Sequence, residues 1–317
     1  MNSAGLRPTA WIFLLLASGV FSGAIAATLR VQPNADTTLV ETAPDNNLGA
    51  TKFVNAGTSG IATKNRALYK FDFNSIPPGS KIRSAALTLQ VIKEPNGGSQ
   101  FSVFTLHRVL KPWGEGNKDS TREVTSGFGY PATTNEATWN SRFAFTTNSW
   151  TDPGASAPDD YSADVSSSNI VYGIGDLPVF GSMPQIVADV QTWLDNPAAN
   201  FGWLLKTEAE SVSRTARGFG SREFLVTEVG IDTNSPPYVE IEFVPPPTIS
   251  SAHITNGHFK FSFLAESNQP YVVEFKNAVS INSWVTLTNI SASTNFANIL
   301  VSDVVSTNAR FYRVLAP

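Results

Sequence analysis

The chain has no cysteine, only three histidines and few charges, 15% of its 317 residues. Without cysteine there is no disulfide framework, no thiolate-bound zinc or iron–sulfur cluster and no thiol nucleophile. Three histidines leave little room for a metal site built on imidazole. An excess of positive charge is also missing, since 22 basic residues stand against 26 acidic ones for a formal net charge of −4. That balance argues against nucleic acid as a partner bound by bulk phosphate neutralisation. The chain carries no G-x-S-x-G elbow, H-E-x-x-H, Walker loop or helix-opening G-x-G-x-x-G.

Long apolar runs are confined to the N-terminus. Arg7 precedes Trp11-Ile12-Phe13-Leu14-Leu15-Leu16-Ala17, and the stretch ends in Ala24-Ile25-Ala26. A basic start, a short apolar run and an A-x-A site make residues 1–26 read as a secretory signal peptide cleaved near Ala26–Ala27. The run is shorter than the roughly 20 residues of a spanning helix, and no later segment reaches that length. The expected mature chain is therefore exported without a membrane span, to the extracellular space, the cell surface or the periplasm.

What is present beyond Ala27 is a succession of short strand patterns separated by Gly, Pro, Asn, Asp and Ser. In Arg66–Phe73, Ala67, Tyr69, Phe71 and Phe73 share one face, predicted to be core, while Arg66, Leu68, Lys70 and Asp72 share the other, predicted to be largely polar and outward. Turn chemistry at Ile76-Pro77-Pro78-Gly79-Ser80 leads into a strand over Ala85–Val91. Ser102–Val109, Gly202–Thr207, Arg222–Val226 and Tyr238–Val244 complete the strand candidates, and residues 116–169 read as long polar loops. One helix is predicted after Pro184, where Ile186, Val187, Val190, Trp193 and Leu194 form a stripe closed by Asn196-Pro197. The fold class is all-β: a jelly-roll-like antiparallel β-sandwich over 27–244 with one short capping helix. Pro245-Pro246-Pro247 forms a stiff linker to a small second β-module over 248–317, where Phe259, Phe261 and Phe263 alternate.

Candidate chemistry is sparse. A carboxylate pair for glycoside hydrolysis has to come from Glu115, Asp119, Glu123 and Glu136 in the loop region. His107 offers a general base for a lyase, although a lone strand histidine also reads as structural. His253 and His258 flank a turn and read as solvent-facing. Asp159, Asp160 and Asp164 bring oxygen ligands together without the D-x-D-x-D-G spacing, which leaves calcium open as a cofactor and identifies none.

The order of several short patterns is more informative. Asp36-Thr37-Thr38 is followed by Asn46-Asn47-Leu48-Gly49, Asn65-Arg66-Ala67-Leu68-Tyr69-Lys70-Phe71-Asp72 and Ile76-Pro77-Pro78-Gly79. Then come Trp113-Gly114-Glu115, Ala137-Thr138-Trp139-Asn140, Asn200-Phe201-Gly202-Trp203 and Phe219-Gly220-Ser221-Arg222-Glu223. Over roughly residues 28–244 this series resembles the DNRLRE domain, also classed as carbohydrate-binding module family 96. Asn65-Arg66-Ala67-Leu68 departs from the string that names the family. The resemblance implies a secreted, non-catalytic β-sandwich that binds an extracellular polysaccharide, alginate-like in some members. The tail, with Tyr271-Val272-Val273-Glu274, Trp284 and Arg310-Phe311-Tyr312-Arg313-Val314, is similar to a short C-terminal β-module of exported proteins from Verrucomicrobia-type bacteria.

Two binding devices follow from the residues themselves. Arg66, Lys70, Lys206 and Arg222 can form a basic strip that meets the carboxylates of a uronic-acid polymer, or Arg66 and Arg222 can pair internally with Asp72 or Glu223. Trp113, Tyr130 and Trp150, with Tyr161, offer loop aromatics for stacking on sugar rings or for packing. Trp139, Trp193 and Trp203 read as core. A non-catalytic carbohydrate-binding protein is the expected function, with two alternatives: a structural or adhesive surface protein, and a lyase or glycosidase with an unrecognised site.

Overall fold

The computed structural model describes residues 26–120, 127–224, 235–281, 283–305 and 309–316. Residues 1–25 of the signal-peptide reading, and Glu123, lie outside the described residues. Strand accounts for 43% of the chain and helix for 7%, which is the all-β class expected. No helix among the described residues is long and apolar enough to cross a membrane. The chain divides into two compact units, one made of Ala27–Pro78 and Ile82–Phe243 and a second that contains Val244–Pro317.

In chain order the strands of the first unit are β1 (Ala27–Val31), β2 (Pro33–Val40), β3 (Asn46–Asn47), β4 (Phe53–Thr58), β5 (Lys64–Phe71), β6 (Lys81–Thr88), β7 (Val91–Lys93) and β8 (Ser102–Arg108). There follow β9 (Tyr130–Pro131), β10 (Ser167–Val171), β11 (Val179–Phe180), helix α1 (Pro184–Asp195), β12 (Trp203–Thr207), β13 (Arg217–Gly220), the short helix α2 (Arg222–Phe224) and β14 (Tyr238–Val244). One sheet has the order β1-β14-β6-β11, and the other runs β10-β8-β12-β5-β4-β13-β7 with β2 also paired to β5. Period-two alternation builds the core between them. Ala85, Leu87, Val239 and Ile241 come from the first sheet, and Val54, Tyr69, Phe71, Phe104, Leu205 and Phe219 from the second, all 0% exposed. Helix α1 begins on a proline at its first position and adds Ile186, Val190 and Trp193 to the same core.

The opposite face of β5 overturns one expectation. Leu68 is 0% exposed and Arg66 9%, so this face is not polar and outward. The segment after β8, read as polar loops, folds back over it and builds a second core from Leu39, Leu68, Val109, Ala137, Trp139, Trp150, Ala155, Tyr161 and Leu204. Register explains the selection: Leu204 stands opposite Leu68, and Leu39 opposite Arg66, so these side chains emerge together on the outer surface of the sheet. Burying them contributes on the order of 1.5–3 kcal/mol per large apolar side chain.

A second correction concerns Arg222–Val226, expected as a strand. Arg222–Phe224 is a turn of helix, and Val226 lies outside the described residues. The Ser221 Oγ accepts from the backbone N–H groups of Glu223 (3.1 Å) and Phe224 (3.3 Å), the bond pattern by which serine starts a helix.

The second unit contains β15 (Ser250–Thr255), β16 (His258–Ala265), β17 (Tyr271–Lys276), β18 (Val285–Ile290), β19 (Ala297–Val304) and β20 (Phe311–Leu315). Two three-stranded antiparallel sheets, β15-β16-β19 and β18-β17-β20, enclose Phe261, Phe263, Tyr271, Val273, Val301 and Val314. Trp284 carries Arg313 at 4.4 Å and Lys276 at 4.8 Å from its ring.

Candidate functional site

Four short patterns that are far apart in the sequence meet at one polar junction. Asn47 on β3 donates from Nδ2 to the carbonyls of Glu115 (2.7 Å) and Ala137 (2.9 Å), and its Oδ1 accepts from the Gly49 and Lys118 N–H groups. Only glycine fits at 49, because a Cβ there would lie 2.1 Å from the Glu115 carbonyl oxygen. Glu115 Oε1 in turn accepts from the Asp36 N–H (3.0 Å) and from Arg222 Nη2 (3.0 Å). The Arg222 N–H donates to Asp36 Oδ2 at 2.7 Å, and its guanidinium also pairs with Glu223 at 2.9 Å. The junction thus ties β2, β3, the Trp113–Glu115 loop and α2 together.

Three carboxyl groups gather around Arg222 here, Glu115 and Glu223 on its guanidinium and Asp36 on its backbone N–H. Asp36 is 0% exposed and its Oδ1 has no hydrogen-bond partner. Burial, reinforced by repulsion from Glu223 and Glu115, raises its pKa well above the ordinary carboxylate range. Burial also raises the pKa of Glu115 and of Glu223 against the pull of Arg222. Arg222 is held charged, because Glu115 and Glu223 outweigh its own desolvation.

The basic strip does not assemble. Arg66 forks onto Glu210 through Nε (2.7 Å) and Nη2 (2.8 Å), and its Nη1 donates to the carbonyls of Gly154 and Ala155. Its partner is therefore neither Asp72 nor a ligand. Desolvation alone would raise the pKa of Glu210, but the bond to Arg66 and its charge bring it below the usual value. Lys206 sits 3.9 Å from the same carboxylate. Arg222 belongs to the junction, with Glu223 as one of its two carboxylate partners. The segment that covers the sheet supplies Glu115 and the Gly154 and Ala155 carbonyls, the turn after β12 supplies Glu210 and α2 supplies Glu223, so both arginines pair internally in place of forming an outward strip.

Of the loop aromatics, Trp150, Tyr161 and Trp113 pack in or against the second core. Trp150 is 4% exposed with Nε1 donating to the Thr138 carbonyl, and Tyr161 is 8% exposed, edge-on to His107, so neither offers a ring face to solvent. Trp113 is half-buried against the second core and donates from Nε1 to the Phe201 carbonyl at 2.8 Å. Half-buried Tyr130 stands opposite Asn47 in the β3–β9 pair.

His107 is buried, its Nδ1 3.0 Å from the Ser162 carbonyl and its Nε2 3.0 Å from the Thr105 hydroxyl. Burial lowers its pKa, which keeps the ring neutral. Of the aspartates considered for calcium, Asp160 is buried and takes Lys111 at 3.0 Å and the Thr151 and Ser156 N–H groups, while Asp159 and Asp164 are exposed. Glu136 accepts from the Thr133 and Asn117 N–H groups and pairs with Lys118, whereas Glu115 is held by Asp36 and Arg222. Asp119 is exposed. His253 is exposed, and half-buried His258 lies 3.3 Å from the Ser302 hydroxyl. Among the described residues no three His, Cys, Asp or Glu side chains are grouped to hold a metal ion.

Lys70 is different. It lines a pocket of about 240 Å³ together with Asn34 of β2, Asp72 and Asn74 of the following turn, and Phe73 and Trp193. The side chains of Asn34, Lys70 and Asn74 have no hydrogen-bond or ion-pair partner among the described residues. Asp72 uses one oxygen to accept from the Asn74 N–H (2.9 Å). Asn200 also lines the pocket, but its amide is occupied by the Phe71 carbonyl and the Gly202 N–H. Below, the Phe73 and Trp193 rings stack with centroids 6.0 Å apart and an interplanar angle of 10°. Trp193 Nε1 is buried with no acceptor.

Sequence reasoning found Lys70 and the core tryptophan but not their neighbours. Asn34 sits before a strand pattern and Asn74 within a turn pattern, where asparagine is ordinary. Their convergence depends on β2 pairing with β5, which places Ala35 opposite Lys70, and no local pattern announces that pairing.

No protein-family model and no curated protein matches this chain.

Proposed function

We propose that the protein binds an extracellular polysaccharide without cleaving it, and that the Lys70 pocket is the contact. One observation carries this reading: three uncommitted polar side chains, Asn34, Lys70 and Asn74, converge on a concave site with an apolar base. An ammonium offers three donors, and each amide offers two donors and an acceptor, a set that matches the adjacent hydroxyls of a sugar. A few convergent polar groups over an apolar lining is the usual composition of a small-molecule site. The resemblance to carbohydrate-binding module family 96 points the same way, and the leader pattern supports action outside the cell.

The test is a glycan array spanning acidic and neutral polysaccharides, run beside assays for new reducing ends and for unsaturated-uronate absorbance. Binding without turnover is the expected result. Lys70→Ala should weaken binding about tenfold, equivalent to about 1.4 kcal/mol, with the melting temperature nearly unchanged. Turnover of any glycan overturns the non-catalytic reading, and binding to none overturns the proposal in favour of a structural protein.

A further inference from the structure

Resting on that reading, we infer that the Lys70 pocket takes the terminal residue of an acidic glycan chain, a single pyranose bearing a carboxylate, and not a stretch of chain interior. Size is the first argument. At about 240 Å³ the pocket falls below the roughly 300–1,000 Å³ of sites for drug-sized ligands, and it has room for one sugar ring. Shape is the second. The lining comes from the Asp72–Pro78 turn and from residues 193–197 at and just past the end of α1, and both segments carry a proline that fixes the backbone. A chain interior needs a cleft that runs past such walls, whereas a chain end needs only an entrance.

Charge selects the class of sugar. Lys70 is the one cation that lines the pocket, and it has no ion-pair partner among the described residues, so it stands ready for one carboxylate. Asp72 faces the same space with one oxygen already accepting from Asn74, which leaves the other for a hydroxyl donor. The amides of Asn34 and Asn74 complete a set that counts one acid and a few hydroxyls, the inventory of a single uronate.

The whole protein is titrated calorimetrically with mannuronate, guluronate and galacturonate oligomers of about one, two, four and eight units, reading affinity and stoichiometry together. The expected result is that one series binds one protein per chain, that its monosaccharide competes, and that affinity changes by less than about threefold beyond two units. Asn34→Ala and Asn74→Ala should each weaken the two-unit ligand about five- to tenfold. Both residues are exposed and line the pocket, so the melting temperature of each variant should stay at the wild-type value. Affinity that climbs with every added unit, or several proteins bound per octamer, overturns the chain-end inference while the glycan-binding reading stands. Binding confined to neutral glycans does the same. Binding to no glycan at all removes the parent reading.

Discussion

Arg66 and Lys70 lie four residues apart on β5 and project from the same face of the strand, yet their circumstances are opposite. Arg66 is buried and every nitrogen of its guanidinium has an acceptor, whereas Lys70 opens onto a pocket with its ammonium uncommitted. The difference is made elsewhere in the chain. Residues that follow β8 fold over the Arg66 end of the sheet and bring the Gly154 and Ala155 carbonyls into reach, and the turn after β12 adds Glu210, while at the Lys70 end β2 and a turn contribute the amides of Asn34 and Asn74 and the end of α1 an apolar lining. A cation on a sheet face is therefore scaffold or site according to what covers it.

The largest effect should come from breaking the covered end. Arg66→Ala leaves Glu210 partly buried without its bidentate partner and orphans two carbonyls, for an expected loss of about 3–5 kcal/mol. Urea denaturation would show it as a lower midpoint. Glycan affinity of the folded fraction should equal that of the wild type, in contrast to Lys70→Ala, and a loss of affinity with stability retained would place Arg66 in the binding site.

The junction at Arg222 gives the next effect, read through pH. Asp36, Glu115 and Glu223 have raised pKa values in the folded state, so their contribution to stability is fully present below the unfolded carboxylate range near 4 and is lost as pH rises through the folded values. Each unit by which a folded value exceeds the unfolded one corresponds to about 1.4 kcal/mol. Glu136, Asp160 and Glu210 have lowered values and act in the opposite sense, losing their contribution as pH falls through those values. His107, lowered by burial, likewise removes stability as pH falls below about 6.5. Asp36→Asn separates the terms. It mimics the protonated acid, so the decline of stability as pH rises above the unfolded carboxylate range should be shallower than in the wild type. Parallel curves for the two proteins would show that Asp36 is ionised in the fold.

How much of this was legible in the sequence follows from the range of the forces involved. Alternation of Tyr69, Phe71 and Phe73, and the stripe of Ile186, Val190 and Trp193, are local consequences of strand and helix periods, and they located the main core. The outer face of β5 was misread because alternation reveals two faces without saying what covers the second. Its cover comes from Val109, Trp139, Trp150 and Tyr161, in a segment whose overall polarity disguises a few large apolar anchors. The candidate site was legible only as Lys70. Asn34 and Asn74 join it through a strand pairing, and Glu210 meets Arg66 across 144 residues of chain, contacts that composition and spacing do not encode.

The smallest expected effect lies at the covered end of the comparison, at Lys206. Its ammonium is 3.9 Å from Glu210 Oε2, at the limit of an ion pair, and the carboxylate is already engaged by the Arg66 fork. Coulomb attraction to a charge that is largely neutralised by a closer partner is weak, and such pairs four residues apart contribute about 0.3–0.5 kcal/mol even on a helix. Lys206→Ala should therefore lower stability by less than about 1 kcal/mol. The difference from the wild type should shrink further in high salt, which screens charges over about 8 Å at physiological ionic strength and over less above it. Binding to an acidic glycan should not change, because Lys206 does not line the Lys70 pocket. If Lys206→Ala instead weakens binding as much as Lys70→Ala, with salt abolishing the effect, the ligand must span both ends of β5 and the division between scaffold and site falls.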